Sequence, residues 1–169
     1  MKKITVLLIF LTACLLPNAS LAQEPNGSLA QEPNDSFFKK YMFGVGVIAG
    51  QPTGLTAKYN LDPKLSIDGG LGWVTSSDNK FHIYGSCIYH VYDLIQVPEG
   101  KLPLYFGGGL RFINRENKDN KFGVRMPIGA EYQFKNLPVG AFIELVPVLN
   151  LTPDTDFDLD GGIGIRYFF

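Results

Sequence analysis

The chain ends in the sequence Gly164-Ile165-Arg166-Tyr167-Phe168-Phe169, in which residue types alternate along the backbone. In an extended strand Tyr167 and Phe169 fall on one face and Arg166 on the other, because successive side chains point to opposite faces. A strand needs an aromatic face opposite a charged face when one side contacts lipid and the other lines a polar lumen. We therefore predict that this segment is the last strand of a membrane-embedded β-barrel.

The same alternation recurs upstream in segments of about ten residues, the length of a tilted strand that crosses a bilayer. An even number of strands returns the C-terminus to the side of the membrane at which the first strand starts. The predicted fold is all-β, an eight-stranded antiparallel up-and-down transmembrane β-barrel over residues 37–169. The predicted strands are Tyr41–Ala49, Gly54–Leu61, Lys64–Trp73, Lys80–Val91, Leu104–Ile113, Lys121–Phe134, Val139–Leu149 and Asp158–Phe169.

Aromatic residues fall into two bands on the predicted lipid face, as expected for girdles at the two membrane interfaces. A soluble eight-stranded barrel has no reason to sort its aromatic residues in this way. The periplasmic band comprises Tyr41, Tyr59, Tyr89, Phe106, Tyr132, Phe134, Tyr167 and Phe169. The outer band comprises Trp73, Phe81, Phe112, Phe122 and Phe157.

The N-terminus has the features of an export signal. A basic start, Met1-Lys2-Lys3, precedes an apolar stretch from Ile4 to Leu16 that is too short to span a bilayer as a helix. Small residues then indicate a signal peptide over residues 1–22, cleaved after Ala22. Leu11-Thr12-Ala13-Cys14 also fits a lipoprotein signal with a lipidated Cys14, although the apolar stretch continues beyond it.

Residues 23–36 form a predicted disordered periplasmic leader. The heptapeptide Ser-Leu-Ala-Gln-Glu-Pro-Asn occurs at Ser20–Asn26 and again at Ser28–Asn34. The repeat is polar, contains proline and has no hydrophobic periodicity, which is typical of a linker.

Composition excludes several classes of function. The chain has 15 basic residues, and loss of Lys2 and Lys3 with the signal leaves 13 against 16 acidic residues. No basic patch indicates a nucleic-acid partner. Cys87 is the one cysteine of the predicted mature chain, so we expect no intramolecular disulfide.

The lumen is predicted to hold a charge network. An eight-stranded barrel has room inside only for side chains, and unpaired buried charges are costly. We expect an internal plug of salt bridges, with Glu131, Glu144 and Asp160 as candidate partners of Arg166; an ion-conducting path is the alternative. Inward glycines are expected to make room for Tyr84, Tyr105, Phe142 and Phe168; these glycines are Gly44, Gly46, Gly70, Gly72, Gly107, Gly109, Gly162 and Gly164. The predicted network is Lys58, Asp68, Arg111, Arg125, Glu131, Glu144, Asp160 and Arg166.

The sequence does not indicate catalysis, a cofactor or a bound metal. His82 and His90 share a strand face but stand about 26 Å apart at ~3.3 Å per residue, too far to share a metal. Each is also too far from Ser86 for a Ser–His hydrolase. Asp154–Gly161 is similar to a calcium loop, but the twelfth position counted from Asp156 lacks the glutamate of an EF-hand. A looser Ca²⁺ site in this predicted external loop stays open.

With these features in place, the chain resembles the small outer-membrane barrels of the OmpA transmembrane-domain and OmpX type. The pattern of Gly164, Tyr167 and Phe169 also resembles the C-terminal sorting signal of such barrels, which implies recognition by the barrel assembly machinery. More narrowly, the chain looks like a family of small barrels best known from spirochaetes. The stretches that carry this narrower resemblance are Phe43–Gly46, Pro52–Leu55, Lys101–Tyr105 and Leu151–Leu159. It implies surface exposure and, for some members, binding of host proteins.

We therefore expect a monomeric protein of the bacterial outer membrane, in contact with lipid, with a structural or surface-interaction role. An extracellular protein or small ligand is the expected kind of partner. The alternatives are a small or gated pore and a soluble periplasmic ligand-binding barrel.

Overall fold

The computed structural model describes residues 42–75, 79–92, 94–115 and 119–169. The predicted signal peptide with its cleavage site at Ala22, the leader and Tyr41 lie outside these residues. Within the described residues no helix is long and apolar enough to cross a membrane. The strands of the described chain are β1 (Phe43–Gln51), β2 (Thr53–Asn60), β3 (Leu65–Thr75), β4 (Asn79–Val91), β5 (Leu104–Arg115), β6 (Lys121–Arg125), β7 (Ile128–Gln133), β8 (Val139–Thr152) and β9 (Asp156–Phe168).

The strands form a closed antiparallel ring. Each strand pairs with the next around the ring, and β9 pairs with β1 from Gly44↔Phe168 to Gln51↔Gly161. Closure removes the free sheet edges that would otherwise expose unpaired backbone groups. Both β6 and β7 lie between β5 and β8, so the nine segments occupy eight positions in the ring. The predicted eight-stranded antiparallel barrel is confirmed.

The predicted sixth strand is interrupted, which corrects its assignment as one continuous strand over Lys121–Phe134. Strand β6 ends at Arg125 and β7 begins at Ile128, yet the register with β5 is the same on both sides of the break. The Gly107 amide donates to the Pro127 carbonyl oxygen at 2.9 Å, but proline has no N–H with which to return the bond. The break is thus local, and no extra residue enters the ladder at residues 126–127; the register of β6 with β8 shifts elsewhere, between Phe122 and Gly123.

Pro147, in contrast, stays inside β8. The Met126 amide donates to its carbonyl oxygen at 2.9 Å, and Pro147 lies opposite Leu159 of β9. The other strand ends differ from the predicted limits by no more than three residues.

The polarity of the molecule is inverted relative to a water-soluble domain. We call the end of the barrel at Phe169 the lower end and the end at Asp156 the upper end. Among the described residues, the buried set contains sixteen polar or charged side chains and eight aliphatic or aromatic ones. Most valine, leucine and isoleucine side chains of the strands point outward, and many of them are exposed; Ile48, Ile88, Val146 and Val148 are instead buried. The packed core is therefore the lumen, and it is mostly polar.

Aromatic side chains form the two predicted bands on the outer wall within the described residues. At the lower end Tyr89 lies opposite Phe106, with ring centroids 5.9 Å apart. At the upper end Trp73 lies opposite Phe81, with an edge contact at 6.4 Å. The other lower members are Tyr59, Tyr132, Phe134, Tyr167 and Phe169, and the other upper members are Phe112, Phe122 and Phe157.

Candidate functional site

The eight charged residues predicted for the lumen all point into it, and each is at most 8% exposed. Strands β2, β3, β5, β6, β7, β8 and β9 all contribute to the set. Such charges must pair, because an isolated buried charge carries a penalty of several kcal/mol. The residues pair in three clusters stacked along the barrel.

The lower cluster is centred on Glu131. Its Oε2 atom lies 2.6 Å from Lys58 Nζ and 3.4 Å from Arg166 Nη1. Arg166 Nη2 lies 3.4 Å from Asp68 Oδ2 and donates to Thr56 Oγ1 at 2.9 Å. Two cations thus face two carboxylates, and the cluster is formally neutral.

The partners of Arg166 differ from the expected ones. Of Glu131, Glu144 and Asp160, Arg166 forms an ion pair with Glu131 alone, and its second carboxylate is Asp68. Glu144 and Asp160 pair with other arginines. Alternation predicts which face a side chain occupies but not its depth in a barrel of tilted strands, so the pairing could not be read from the sequence.

His90 extends the lower cluster. Lys58 Nζ lies 2.8 Å from His90 Nε2. A lysine ammonium group can only donate hydrogen bonds, so His90 Nε2 is the acceptor. The ring proton then sits on Nδ1, which is 3.3 Å from the Lys64 carbonyl oxygen. His90 is therefore a neutral imidazole that accepts a hydrogen bond from the Lys58 ammonium group.

The middle cluster joins Arg125 to Glu144. Their Nη2 and Oε1 atoms are 3.3 Å apart, and Arg125 Nη1 donates to Ser86 Oγ at 2.9 Å. Tyr105 donates its hydroxyl to Glu144 Oε2 at 3.1 Å. The Arg125 guanidinium also lies 3.9 Å from the centroid of the Tyr84 ring, a cation–π contact.

The upper cluster is centred on Arg111, which pairs with Asp160 and Asp158 and donates to Asn150 Oδ1 at 2.7 Å. Lys121 Nζ lies 2.8 Å from Asp156 and 3.1 Å from Asp158. Arg111 and Lys121 thus form ion pairs with Asp156, Asp158 and Asp160, three of the four aspartates of the acidic segment that is similar to a calcium loop. Among the described residues, no three His, Cys, Asp or Glu side chains are placed to hold a metal ion.

Inward aromatic rings pack against glycines of neighbouring strands. A Cβ atom on Gly70 would lie 2.6 Å from the Tyr84 ring, and one on Gly44 would lie 2.7 Å from the Phe168 ring. Phe142 covers Gly164 in the same way. The glycines therefore provide the predicted room for these rings, in a lumen that is filled by side chains.

Several polar residues of the network were not singled out from the sequence. Thr56, Asn150 and Lys121 each bind a charged group of a cluster. Thr56 and Asn150 lie at inward positions of β2 and β8. This alternation was the one sequence signal that could have identified them. Gly129, against Tyr105, was likewise not among the glycines expected to make room.

Comparison with known proteins supports the fold. No protein-family model matches this chain, and no curated protein sequence matches it. Among solved structures, the N-terminal β-barrel domain of Pseudomonas aeruginosa OprF is similar, with a TM-score of 0.62 and 17% identity over 75% of this chain and 96% of that chain. A de novo designed transmembrane β-barrel gives a TM-score of 0.46 and 22% identity over 75% of this chain and 94% of the design. At this identity the likeness to the OprF domain concerns the fold, and it agrees with the closed barrel described above.

Proposed function

We propose that this chain is a bacterial outer-membrane β-barrel with a structural or surface-interaction role and no catalytic activity. The inverted polarity is the observation that carries the proposal. A closed barrel with an apolar outer wall and a charged interior fits a lipid environment, and its two aromatic bands fit two membrane interfaces. In water the same wall would be a large exposed apolar surface of the kind that drives aggregation.

The outer-membrane location is supported by the predicted export signal together with the barrel fold. We also propose, on the sequence resemblance given above, that the chain is related to the small barrels best known from spirochaetes. An extracellular protein or small ligand would meet the upper end, where the described connections at Pro52 and at residues 153–155 are short. The ion pairs of the lumen would then hold the barrel together and fill it.

The membrane location is tested by fractionation and by gel mobility of the full chain. We expect the protein in the outer-membrane pellet after carbonate extraction, with a mobility that changes on boiling because closed barrels resist unfolding in detergent. Release by salt or carbonate would contradict the proposal.

A pair of variants sharpens this test. Ile163 lies on the outer wall midway along β9, whereas Leu61 lies in the lower connection between β2 and β3; both are exposed. Lysine at the bilayer midplane costs about 2–4 kcal/mol, so Ile163→Lys should lower the yield of inserted barrel while Leu61→Lys leaves it unchanged. A soluble periplasmic ligand-binding barrel would tolerate both substitutions equally.

A small or gated pore is the second candidate. Four buried polar atoms have no hydrogen-bond partner among the described residues: Asp68 Oδ1, His82 Nε2, Arg111 Nε and Glu131 Oε1. Such atoms favour entry of water into the lumen, because a buried polar group without a partner is costly. Planar-bilayer recording tests this candidate: conductance that changes on neutralisation of Arg111 or Glu131 would favour the pore, and a silent bilayer would favour the structural role.

A further inference from the structure

We infer that the connection between β4 and β5 closes the lower mouth of the lumen. We call residues 94–103 the strap, and Tyr92 lies two positions before its first residue. The inference rests on the proposed function as a membrane barrel. It adds that water and ions would reach the charged lumen from the upper end alone.

The returning arm of the strap is bound to β7. The Lys101 amide donates to the Gln133 carbonyl oxygen at 3.0 Å, and the Gln133 amide donates to Lys101 at 2.8 Å. The Glu131 amide donates to the Pro103 carbonyl oxygen at 3.0 Å. These bonds continue the pairing of β5 with β7 beyond the end of β5, so the arm is held in sheet geometry.

The turn of the strap depends on a glycine. Gly100 has a φ of 76°, in the left-handed region that other residues rarely adopt, and a Cβ atom there would collide with the Gln133 carbonyl oxygen. The Tyr132 hydroxyl donates to the Glu99 carbonyl oxygen at 2.7 Å. The turn is thus fixed directly against β7.

A column of rings leads from the lumen to the strap. His90 lies between Tyr105 and Tyr92, with centroid distances of 5.7 Å and 6.2 Å, and Lys101 Nζ lies 5.7 Å from the centroid of the Tyr92 ring. His90 in turn contacts Lys58 of the lower cluster. Tyr92 lies two residues after His90 and therefore points to the same inward side. Its ring covers the lower cluster from below, and the Lys101 side chain lies over that ring.

The two ends of the lumen therefore differ in access. At the upper end the side chain of Asp156, the first residue of β9, is 46% exposed, whereas at the lower end Asn60 and Gln133, the last residues of β2 and β7, are each 6% exposed. The other two lower connections, residues 61–64 and 134–138, are much shorter than the strap. The length of the strap, which is unusual for a lower connection, is explained by this closing role.

The two histidines provide an internal test, because His90 lies beneath Tyr92 and His82 lies higher in the same lumen. The full-length barrel in lipid vesicles is treated with diethylpyrocarbonate, and modification of each histidine is followed by mass spectrometry. Tyr92→Ala should raise the rate of modification at His90 roughly tenfold. The substitution removes a ring contact and a cation–π contact, whose combined free energy corresponds to about a tenfold change in an equilibrium constant. The rate at His82 should not change.

Tyr89→Ala is the matched control, because it removes an aromatic ring from the outer wall at the same end and should leave both rates unchanged. Equal His90 rates in Tyr92→Ala and the unmodified protein would overturn the inference. If Tyr92→Ala loses the heat-modifiable band, Lys101→Ala decides the matter, since it removes the side chain that lies over the Tyr92 ring, keeps the backbone bonds to Gln133, and should still raise the His90 rate selectively. A protein that lacks the heat-modifiable band without any substitution would count against the membrane barrel itself, so the two failures are distinguishable.

Discussion

Glu131 shows how individual residues stabilise this barrel. Its side chain is fully buried, and one of its oxygen atoms accepts from both Lys58 and Arg166. These cations have entered a region from which water is largely excluded, so each depends on the carboxylate for its stability. The residue therefore links β2, β7 and β9 across the lumen.

We expect Glu131→Gln to destabilise the barrel by about 3–5 kcal/mol, the usual cost of removing one partner from a buried ion pair. Lys58 and Arg166 would then repel each other with one carboxylate, Asp68, left in their cluster. The free energy of unfolding by urea in lipid vesicles measures the loss.

Asp156→Asn is the control for this substitution. It removes a carboxylate that also binds a lysine, Lys121, but at the exposed upper end, where ion pairs contribute little. Equal stability losses in the two variants would show that burial does not determine the strength of the network.

At the scale of strands, much of the fold could be predicted because the outer wall and the lumen of a closed barrel have opposite polarities, so polarity alternates along each strand. Parity predicted the strands, both aromatic bands and the inward charges. Parity could not predict that β6 ends at Arg125. Pro127 keeps the inward position and the register of a continuous strand, and only one hydrogen bond of the ladder is lost there. Nor could it predict that Asp68 pairs with Arg166, which depends on strand tilt.

The packing of an inward ring on the neighbouring strand gives a prediction at this scale. Gly70→Ala should destabilise the barrel by about 1–3 kcal/mol, because the new methyl group would overlap the Tyr84 ring and the Leu55 carbonyl oxygen. Gly85→Ala on the adjacent strand is the control, since a Cβ atom there meets nothing closer than 3.9 Å. Urea unfolding in vesicles should separate the two variants; similar values would mean that the ring moves aside freely.

At the scale of the whole molecule, the backbone and the side chain of Phe169 make different contacts. The Phe169 amide donates to the Phe43 carbonyl oxygen at 2.7 Å and extends the seam between the first and last strands. Its side chain points outward in the lower aromatic band, as does that of Phe106 on β5. Stability should depend on the band as a whole, whereas the predicted assembly signal would depend on Phe169 itself.

This separation predicts different outcomes for two equivalent substitutions. In the proposed membrane barrel, Phe169→Ser and Phe106→Ser would each remove the burial of one phenyl ring in the membrane interface, worth about 1.5–3 kcal/mol, so the inserted barrels should lose similar stability. The backbone bond to Phe43 survives in both variants. If Gly164, Tyr167 and Phe169 form an assembly signal, Phe169→Ser should also lower the amount of protein that reaches the outer membrane, while Phe106→Ser should lower it much less. Quantitative fractionation of cells measures that amount, and equal levels for the two variants would show that Phe169 acts as one more aromatic residue of the band.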